Sequence, residues 1–503
     1  MAASFIERER KFEVPADFEV PDLQGVVPPG EVLERSVQRL RSDYYDTADH
    51  AVRRAGMTLR RRTGTDDVGW HLKLPHGEHR EELHFDLSDE VPSGVARLLL
   101  GVTRGAALDV VASLETERHV TRVVDTAGDT VADIDLDHVT ATARRTSGVS
   151  ASSWTELEVE LGSPSVSDEQ LSVLGRRLRD AGARPSRTTS KLARAMGETG
   201  PAVGRGGKPK PKGKGKRKSK AKQQRSSAVL LPYLAEQQRM LLLGDVALRR
   251  GDDSAIHRTR VATRRLRSAL RVFGAFFDAE RTGSLDAELR WYAEVLGAVR
   301  DSQVLELRLH EALAELPAEL ILGPVQQHVD AHLHATRQRD WERLQQELSG
   351  TRYLDLLAEV AAWIDATPFT GRADRPASAL VRASRRAHGA VARRLKAANR
   401  SGDVDQLHRA RKAAKRARYA AEAAGPVTGS GAIREADRYR RLQDLLGEHQ
   451  DSVVSAQLLR ELGAAAGATG GENGFTFGLL HEREQQRAAV ARRKAQRAAR
   501  RYR

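Results

Sequence analysis

The chain has 503 residues, contains no cysteine and carries a formal net charge of +15. This length exceeds what one hydrophobic core usually organises, so we expect two or three domains, and the lack of cysteine excludes disulfide frameworks and thiol nucleophiles. No run of 18 apolar residues and no apolar leader occurs, so the sequence predicts neither a membrane span nor a secretory signal, and we expect a cytoplasmic location.

The charge is distributed unevenly. Residues 1–200 hold 26 Lys and Arg against 34 Asp and Glu, a net charge of −8, whereas residues 201–225 hold 11 basic and no acidic residues. The remainder has a net charge of +12. An acidic first part suits divalent metal ions, and a basic second part suits a polyanion.

The first predicted strand, residues 6–12, reads IERERKF. Because strand side chains alternate between two faces, Glu7, Glu9 and Lys11 share one face. Carboxylates bind Mg²⁺ or Mn²⁺ and a lysine can hold a phosphate, so this row fits metal-assisted phosphoryl chemistry. A solvated strand of alternating charge is an equally good interpretation of this segment alone.

Further charged rows with strand spacing follow, up to about residue 200. Each is backed by an apolar row, as in ELEVEL, where three glutamates alternate with Leu157, Val159 and Leu161. Several rows of mixed sign predict a polar interior and an apolar outer wall, which a closed sheet provides. The rows contain Arg60 and Arg62, His71 and Lys73, Arg80 with Glu81 and Glu82, Arg118 and Arg122, Asp133, Asp135 and Asp137, Glu156, Glu158 and Glu160, and Lys191.

Residues 1–200 resemble the CYTH superfamily, the triphosphate tunnel metalloenzymes. The resemblance is carried by the amino-terminal ExExK, LRRR, WHLK followed by Pro75, the paired acidic strands and a late SK. It implies an eight-stranded antiparallel β tunnel or barrel that holds a triphosphate between basic residues and a divalent metal ion, Mg²⁺ or Mn²⁺. A carboxylate-oriented water would then hydrolyse inorganic triphosphate or a related triphosphate.

The resemblance also implies roles for individual residues. The implied catalytic residues are Glu7, Glu9, Lys11 and Lys73. The implied metal ligands or their supports are Glu7, Glu9, Asp135, Glu156, Glu158 and Glu160, with Asp137 on a shared face. The implied phosphate-binding residues are Lys11, Arg60, Arg62, Lys73, Arg118, Arg122 and Lys191.

A lysine-rich segment, GRGGKPKPKGKGKRKSKAKQQR at 204–225, separates the two halves. It has no apolar residue large enough to build a core, and its charges repel one another, so we expect a disordered, extended linker over 201–227. Its lysines either bind polyphosphate or nucleic acid through counterion release or serve only as a solubilising tether.

The second half, residues 228–503, has helical periodicity and an internal repeat. Residues 255–273 align with 406–424, and LGAVRDSQV at 296–304 aligns with LGEHQDSVV at 446–454, at offsets of 151 and 150. Two blocks with nearly the same offset indicate a duplicated helical unit, with repeats at about 228–365 and 376–500.

Each repeat contains a helix with a basic face. Residues at i, i+3, i+7 and i+10 fall within roughly 80° of arc on a helix. Such a row of like charges weakens an isolated helix and therefore suggests a partner that neutralises it, although a solvated basic face is the alternative. The two rows are His257, Arg260, Arg264 and Arg267 in the first repeat and His408, Arg411, Lys415 and Arg418 in the second.

The second half resembles the CHAD domain, a histidine-containing α-helical domain that often follows a CYTH domain. The resemblance is carried by His257 with RVATRRLRSALR, His408 with RKAAKRARY, and the two LG blocks, in which Gln450 replaces Arg300. It implies two pseudosymmetric four-helix bundles whose basic surface, including Arg300, binds inorganic polyphosphate, and it adds polyphosphate granules to the expected location.

The two halves together predict an α+β multidomain protein. We expect a metal-dependent triphosphatase joined to a polyphosphate-binding module, with no membrane partner and only nonspecific binding of nucleic acid, since few aromatic residues accompany the basic ones. The alternatives are a polyphosphate-binding scaffold without turnover and an adenylate cyclase-like activity of the first domain.

Overall fold

The computed structural model describes residues 3–23, 32–64, 67–77, 79–124, 130–145, 148–161, 168–188, 190–198, 223–401, 404–428, 430–469 and 472–499. The side chains of Glu7 and His408 lie outside this described part. The chain divides into two compact units, Met1–Lys210 and Pro211–Arg503. Residues 199–222, which include most of the linker predicted at 201–227, are also outside it, and the first helix of the second unit begins at Ser226.

The first unit is an antiparallel sheet in the order β1-β6-β5-β4-β3-β7-β8-β9-β2-β10. Its strands are β1 (Ala3–Glu7), β2 (Glu9–Glu13), β3 (Val32–Asp46), β4 (Thr58–Thr63), β5 (Gly69–His76), β6 (His79–Phe85), β7 (Asp109–Val124), β8 (Thr130–Arg145), β9 (Gly148–Leu161) and β10 (Arg184–Pro185).

The amino-terminal strand closes this sheet. β1 pairs with β6 and β2 pairs with β9, yet only Arg8 separates β1 from β2. One continuous stretch of chain therefore pairs with β6 through its first part and with β9 through its second, which closes the sheet. Counted as one strand, β1 and β2 give eight strands together with β3 to β9, and the described residues confirm the predicted eight-stranded closed sheet, to which the two-residue β10 is added.

Alternation along the strands separates charged from apolar side chains. On β9, Leu157 and Val159 are fully buried in a core outside the sheet, whereas the glutamates between them point the other way. Helix α3 (Asp168–Asp180) contributes Leu174 and Leu178 to this core. The other helices of this unit are α1 (Ala51–Arg54), α2 (Ser93–Thr103) and α4 (Lys191–Ala195).

The second unit is helical throughout its described residues, apart from single bridges and short turns. Its α-helices are α5 (Ser226–Arg249), α6 (Ala255–Val272), α7 (Ala279–Ala314), α8 (Val325–Ser349), α9 (Thr351–Asp365), α10 (Ser378–Ser401), α11 (Val404–Ala423), α12 (Gly425–Thr428), α13 (Ser430–Gly467) and α14 (Phe475–Ala499). No helix among the described residues is long and apolar enough to cross a membrane.

The predicted repeat appears as two sets of four long helices. Helices α5 to α8 correspond to α10, α11, α13 and α14, and successive helices within each set pack together. The two repeat helices, α6 and α11, also contact each other, so their basic faces belong to one region of this unit.

Helices α5 and α6 approach closely at Gly244. A Cβ atom at this position would lie 2.0 Å from Oγ1 of Thr259, which is fully buried and donates a hydrogen bond to the carbonyl of Ala255. Only glycine therefore allows this helix packing.

We expect Gly244→Ala to lower the free energy of unfolding of the helical unit by about 1–3 kcal/mol, because the added methyl group overpacks the contact. Adding Thr259→Ala should recover part of this loss. The matched control is Gly283→Ala on α7, where a Cβ meets nothing within 4 Å; it should stabilise by up to about 1 kcal/mol through helix propensity. Denaturant unfolding of the four proteins measures these differences, and equal effects of the two glycine changes would contradict the packing argument.

Candidate functional site

A polar cavity lies inside the closed sheet, with about 130 Å³ available to the centres of water molecules. Strand alternation directs charged side chains from six strands into it, and α4 adds one more. Nine of the residues predicted from the sequence line it: Glu9, Lys11, Arg60, Arg62, Lys73, Arg118, Glu158, Glu160 and Lys191.

Glu158 is the centre of one ionic cluster in this cavity. Its carboxylate is bonded to Lys11 Nζ, lies 2.7 Å from Lys191 Nζ and lies 3.4 Å from Arg118 Nη2. Burial would raise the pKa of Glu158, but the three cations outweigh burial and hold that pKa well below its usual range. Conversely, burial would lower the pKa of both lysines, and the neighbouring carboxylates raise it instead. All four groups are therefore charged at neutral pH.

Lys191 reaches the cavity because α4 begins there. The side chain of Ser190 caps this short helix by accepting a hydrogen bond from the Ala193 N–H at 3.1 Å. Lys191 Nζ also lies 2.9 Å from Asp137 and 3.0 Å from Glu156, so this one ammonium neutralises several carboxylates.

Glu82 is the centre of a second cluster and is only 1% exposed. It accepts a hydrogen bond from Arg60 Nη2 at 3.0 Å and lies 3.1 Å from Lys73 Nζ. His71 Nδ1 lies 2.8 Å away from the same carboxylate. Burial would raise the pKa of Glu82, but Arg60 and Lys73 lower it far more. The charged row containing Glu82 was visible in the sequence, but nothing there identified it as the partner of the phosphate-binding candidates.

Glu9 and Glu160 face each other directly in the register of β2 and β9, and both line the cavity. Glu9 lies 2.9 Å from Lys11 Nζ, whereas Glu160 has no hydrogen-bond or ion-pair partner among the described residues. Burial raises the pKa of Glu160; Lys73 opposes this shift, and Glu9 and Glu158 add to it. Like charges directly across a sheet destabilise it, so a cation bound near these carboxylates would stabilise the site.

Arg62 is a cation of the cavity that lacks part of its hydrogen bonding, just as Glu160 is a carboxylate that lacks a partner in the described part of the chain. Its Nη1 donates to Asp67 at 2.6 Å, but its buried Nε has no hydrogen-bond partner among the described residues. Burial, Arg60 and Arg118 together lower the pKa of Arg62. An anion in the cavity would therefore satisfy this guanidinium.

Two predicted metal ligands, Asp135 and Glu156, are not among the residues that line the cavity. Asp135 is buried against Arg118. Burial raises the pKa of Asp135 to about 7; Arg118 opposes the shift, and other carboxylates add to it. Glu156 accepts a hydrogen bond from Trp154 Nε1 at 2.7 Å and pairs with Lys191. Both carboxylates therefore support the cations of the site in this structure, and their roles as ligands remain predictions.

Arg122 and Glu7 are the other predicted residues outside the cavity lining. Arg122 forms a bidentate pair with Asp133, at 2.8 and 3.1 Å, and its side chain is 42% exposed. Glu7 ends β1 opposite Arg80, and its side chain lies outside the described part.

Six lining residues had no role assigned from the sequence. Arg80 and Glu82 have strand spacing, so their position could have been inferred once the sheet was known to close. The others come from strand ends, loops or uncharged strand positions, which the charge pattern does not reveal. The six are Tyr44, Thr58, Asp67, Arg80, Glu82 and Ser190.

In the second unit, a basic cavity of about 400 Å³ lies between α6, α7 and α11. Arg264 Nη2 crosses from α6 to donate to the hydroxyl of Tyr419 on α11 at 3.1 Å. The residues lining this cavity are Arg264, Arg267, Ser268, Arg271, Arg290, Glu294, Lys412, Lys415, Arg416 and Tyr419.

Lys415 is a half-buried cation on the α11 side of this cavity. It has no hydrogen-bond or ion-pair partner among the described residues. Burial lowers the pKa of Lys415 to about 7, and Arg411, Arg264 and Arg260 add to that shift. A bound anion would raise the pKa of Lys415 again.

The remaining predicted residues of the basic rows are mostly paired. Arg260 lies 2.8 Å from Asp301, Arg267 lies 3.2 Å from Asp286, and Arg418 lies 3.0 Å from Glu422. Arg300 donates to Gln303 at 3.2 Å. His257 lies mostly at the surface, and the partial burial of its ring together with Arg300 and Arg264 lowers its pKa.

The repeated LG blocks have a steric role. A Cβ atom at Gly297 would lie 3.3 Å from Arg260 Nη2, and one at Gly447 would lie 3.2 Å from Arg411 Nη2. In each repeat, the glycine lets the first arginine of the basic row, Arg260 or Arg411, lie close against the following long helix. The duplication thus preserves one arginine pocket in two copies.

Comparison with known proteins matches both units. The CYTH domain family matches residues 6–183, and the CHAD domain family matches residues 232–460. The chain is 33% identical to an uncharacterized protein of Mycobacterium tuberculosis, found in two strains, with 96% of this chain and 93% of the relative covered.

Among solved structures, PptA from Streptomyces chartreusis is similar at 21% identity and a TM-score of 0.47, covering 55% of this chain and 99% of that chain. The CHAD domain from the plant Ricinus communis is similar at 25% identity and a TM-score of 0.45, covering 55% of this chain and 92% of that chain. The two domain matches and the mycobacterial relatives show that the chain belongs to the family of proteins that join an amino-terminal CYTH domain to a carboxy-terminal CHAD domain.

Proposed function

We propose that the closed sheet hydrolyses inorganic triphosphate, or a related triphosphate, with Mg²⁺ or Mn²⁺. The observation that carries this proposal is the pair Glu9 and Glu160, two carboxylates opposed across one strand pair in a cavity whose other walls are strongly cationic. Such a site offers oxygen ligands for a hard divalent ion beside phosphate-binding groups.

The residues present fit a divalent ion. Glu9, Glu158 and Glu160 all line the cavity, and Glu160 is half-buried and has no hydrogen-bond or ion-pair partner among the described residues. Glu9 and Glu158 would hold the ion, with Glu160 beside them. A bound divalent ion would stabilise charge on the phosphoryl oxygens as the bond to the leaving group breaks.

The cations of both clusters would hold the substrate. Lys11, Lys191 and Arg118 are bonded to Glu158, and Arg60 and Lys73 are bonded to Glu82, so each is already directed into the cavity by a carboxylate. Triphosphate oxygens would replace part of these contacts, and Arg62 would use its buried Nε. Guanidinium groups bind phosphate oxygens through two parallel hydrogen bonds, which fixes the orientation of the chain of phosphates.

Hydrolysis then requires one positioned water. Its oxygen forms a bond to the terminal phosphorus while the bond from that phosphorus to the diphosphate oxygen breaks, and diphosphate leaves with phosphate as the second product. Glu160 has a raised pKa and is therefore the strongest base among the three carboxylates. We assign it to orient the water and accept its proton.

Glu9→Gln and Glu160→Gln should each lower the rate of phosphate release from triphosphate by about 10²-fold or more, because the first removes a carboxylate that would hold the divalent ion and the second removes the proton acceptor for the attacking water. Phosphate release with Mg²⁺ or Mn²⁺ measures this, with triphosphate, ATP and thiamine triphosphate compared as substrates. The control is Glu117→Gln, an exposed carboxylate on β7 that pairs with Arg39 outside the cavity.

Unchanged turnover in Glu9→Gln and Glu160→Gln would contradict the proposed site. Binding of triphosphate without any release of phosphate by the unaltered protein would favour a scaffold, and formation of cyclic AMP from ATP would favour a cyclase.

We also propose that the helical unit binds inorganic polyphosphate at the basic cavity between α6 and α11. The support is Lys415, which has no hydrogen-bond or ion-pair partner among the described residues, together with Arg264 on the facing helix, whose buried Nε also lacks a partner there. A flexible polyanion can satisfy several such groups at once, and its binding should weaken with salt.

Replacing Arg264 and Lys415 by alanine together should lower the salt concentration that elutes the protein from immobilised polyphosphate and make the salt dependence shallower, because two phosphate contacts are lost. The control removes the same charge with Arg339→Ala and Arg343→Ala, two exposed arginines of α8 that do not line the cavity. Equal losses in both pairs would indicate that only net charge matters.

Polyphosphate affinity should also depend on pH through Lys415. Its pKa of about 7 in the free protein means that binding above pH 7 must take up a proton, so affinity should fall as pH rises from 7 to 9, by at most about tenfold per pH unit. Lys415→Arg stays charged over this range and should give a flatter profile in calorimetric titrations. Parallel profiles for the two proteins would contradict this assignment.

A further inference from the structure

Two histidines form a pair beside the cavity but are not among the residues that line it. His71 on β5 and His84 on β6 are directly opposite in the antiparallel register, and their rings meet edge to face with centroids 4.2 Å apart. Asp67, which lies just before β5, completes a group whose ligand atoms all lie within 4.8 Å of one another.

Each of the two rings lies between the carboxylates of Glu82 and Asp67, with one ring nitrogen facing each carboxylate. The inner nitrogens face Glu82, with His71 Nδ1 at 2.8 Å and His84 Nε2 at 3.7 Å. The outer nitrogens face Oδ1 of Asp67, with His71 Nε2 at 3.8 Å and His84 Nδ1 at 3.5 Å. Arg62 Nη1 donates to the other oxygen of Asp67, Oδ2, at 2.6 Å, so the oxygen near the two rings is Oδ1.

His71 is the most informative member of this group. Its side chain is fully buried, and its Nε2 has no hydrogen-bond partner among the described residues. The contact to Glu82 places the ring proton on Nδ1, so Nε2 presents a lone pair toward a carboxylate oxygen. These two electron-rich atoms, one on a fully buried ring and one on a partly exposed carboxylate, leave between them a position that a cation would fill.

We propose that His71 Nε2, His84 Nδ1 and Asp67 Oδ1 bind a transition-metal ion of the Zn²⁺ class, at a site separate from the carboxylates Glu9, Glu158 and Glu160. Two imidazoles and one carboxylate are a donor set for Zn²⁺, Co²⁺ or Ni²⁺, whereas Mg²⁺ prefers oxygen ligands alone. Glu82 supplies the outer carboxylate that commonly orients and strengthens a histidine ligand.

The site would be linked to the phosphate-binding cations through Glu82. The same carboxylate contacts Arg60 and Lys73, so an ion on the far side of the histidines would compete for the charge of Glu82. Arg60 and Lys73 would then be freer to turn toward phosphate. Occupancy of this site would therefore alter substrate affinity without supplying the hydrolytic ion.

The test is a Co²⁺ titration of the whole chain, prepared without a polyhistidine tag and stripped with chelator. We expect one equivalent to bind with visible d–d absorption, displaced by Zn²⁺ but not by millimolar Mg²⁺. His84→Gln and Asp67→Asn should each weaken binding at least about tenfold, because each removes one ligand. Both positions are at least partly exposed, so these changes should disturb folding less than a change at the buried His71, and melting curves check this.

Two controls separate this site from its surroundings. His79→Gln alters an exposed histidine on β6, the strand that carries His84, and should leave the Co²⁺ spectrum unchanged. Glu160→Gln should also retain it, even if phosphate release is lost, because the proposed hydrolytic site is separate. No d–d absorption in the unaltered protein, or equal affinity in His84→Gln, would overturn the proposal.

Discussion

The first unit depends on the pairing of charges inside a closed sheet. A buried carboxylate or ammonium is costly unless it has an opposite partner, and a single carboxylate with several cations is a compact way to meet that requirement. Glu158 does this for Lys11, Lys191 and Arg118, and Glu82 does it for Arg60 and Lys73. The cations are thus kept charged and oriented before any phosphate arrives, and a polyanion only has to replace contacts that already exist.

Much of this arrangement follows from strand periodicity. The period of two in residues 6–12 and in ELEVEL placed Lys11 and Glu158 on inward faces, and the structure brings them into contact. Periodicity does not say how far along the tunnel a residue lies or which neighbour it meets. Asp135 and Glu156 therefore share inward faces with Glu158 but pair with Arg118 and Lys191 instead of lining the cavity. Contributions from loops, such as Asp67, had no periodic signal at all.

The helical unit shows what a repeat can and cannot predict. The offset of the two blocks identified the duplicated helices, observed as Ala255–Val272 and Val404–Ala423. It could not show that the copies have diverged in their electrostatics. Arg264 in the first copy reaches Tyr419, while its counterpart Lys415 has no partner among the described residues and is the easier group to discharge. A symmetric sequence pattern has thus produced two unequal halves of one basic surface.

The closure of the sheet by the amino-terminal strand has a consequence for how the protein folds during synthesis. Lys11 must meet Glu158, 147 positions further along the chain, before the tunnel can close. During synthesis the first strand emerges early and must wait until β9 has left the ribosome, while the strands between them can already pair locally. Contacts of such long sequence separation slow folding, so closure of the tunnel belongs to a late step, and the interval before it exposes an unpaired strand edge to other nascent chains.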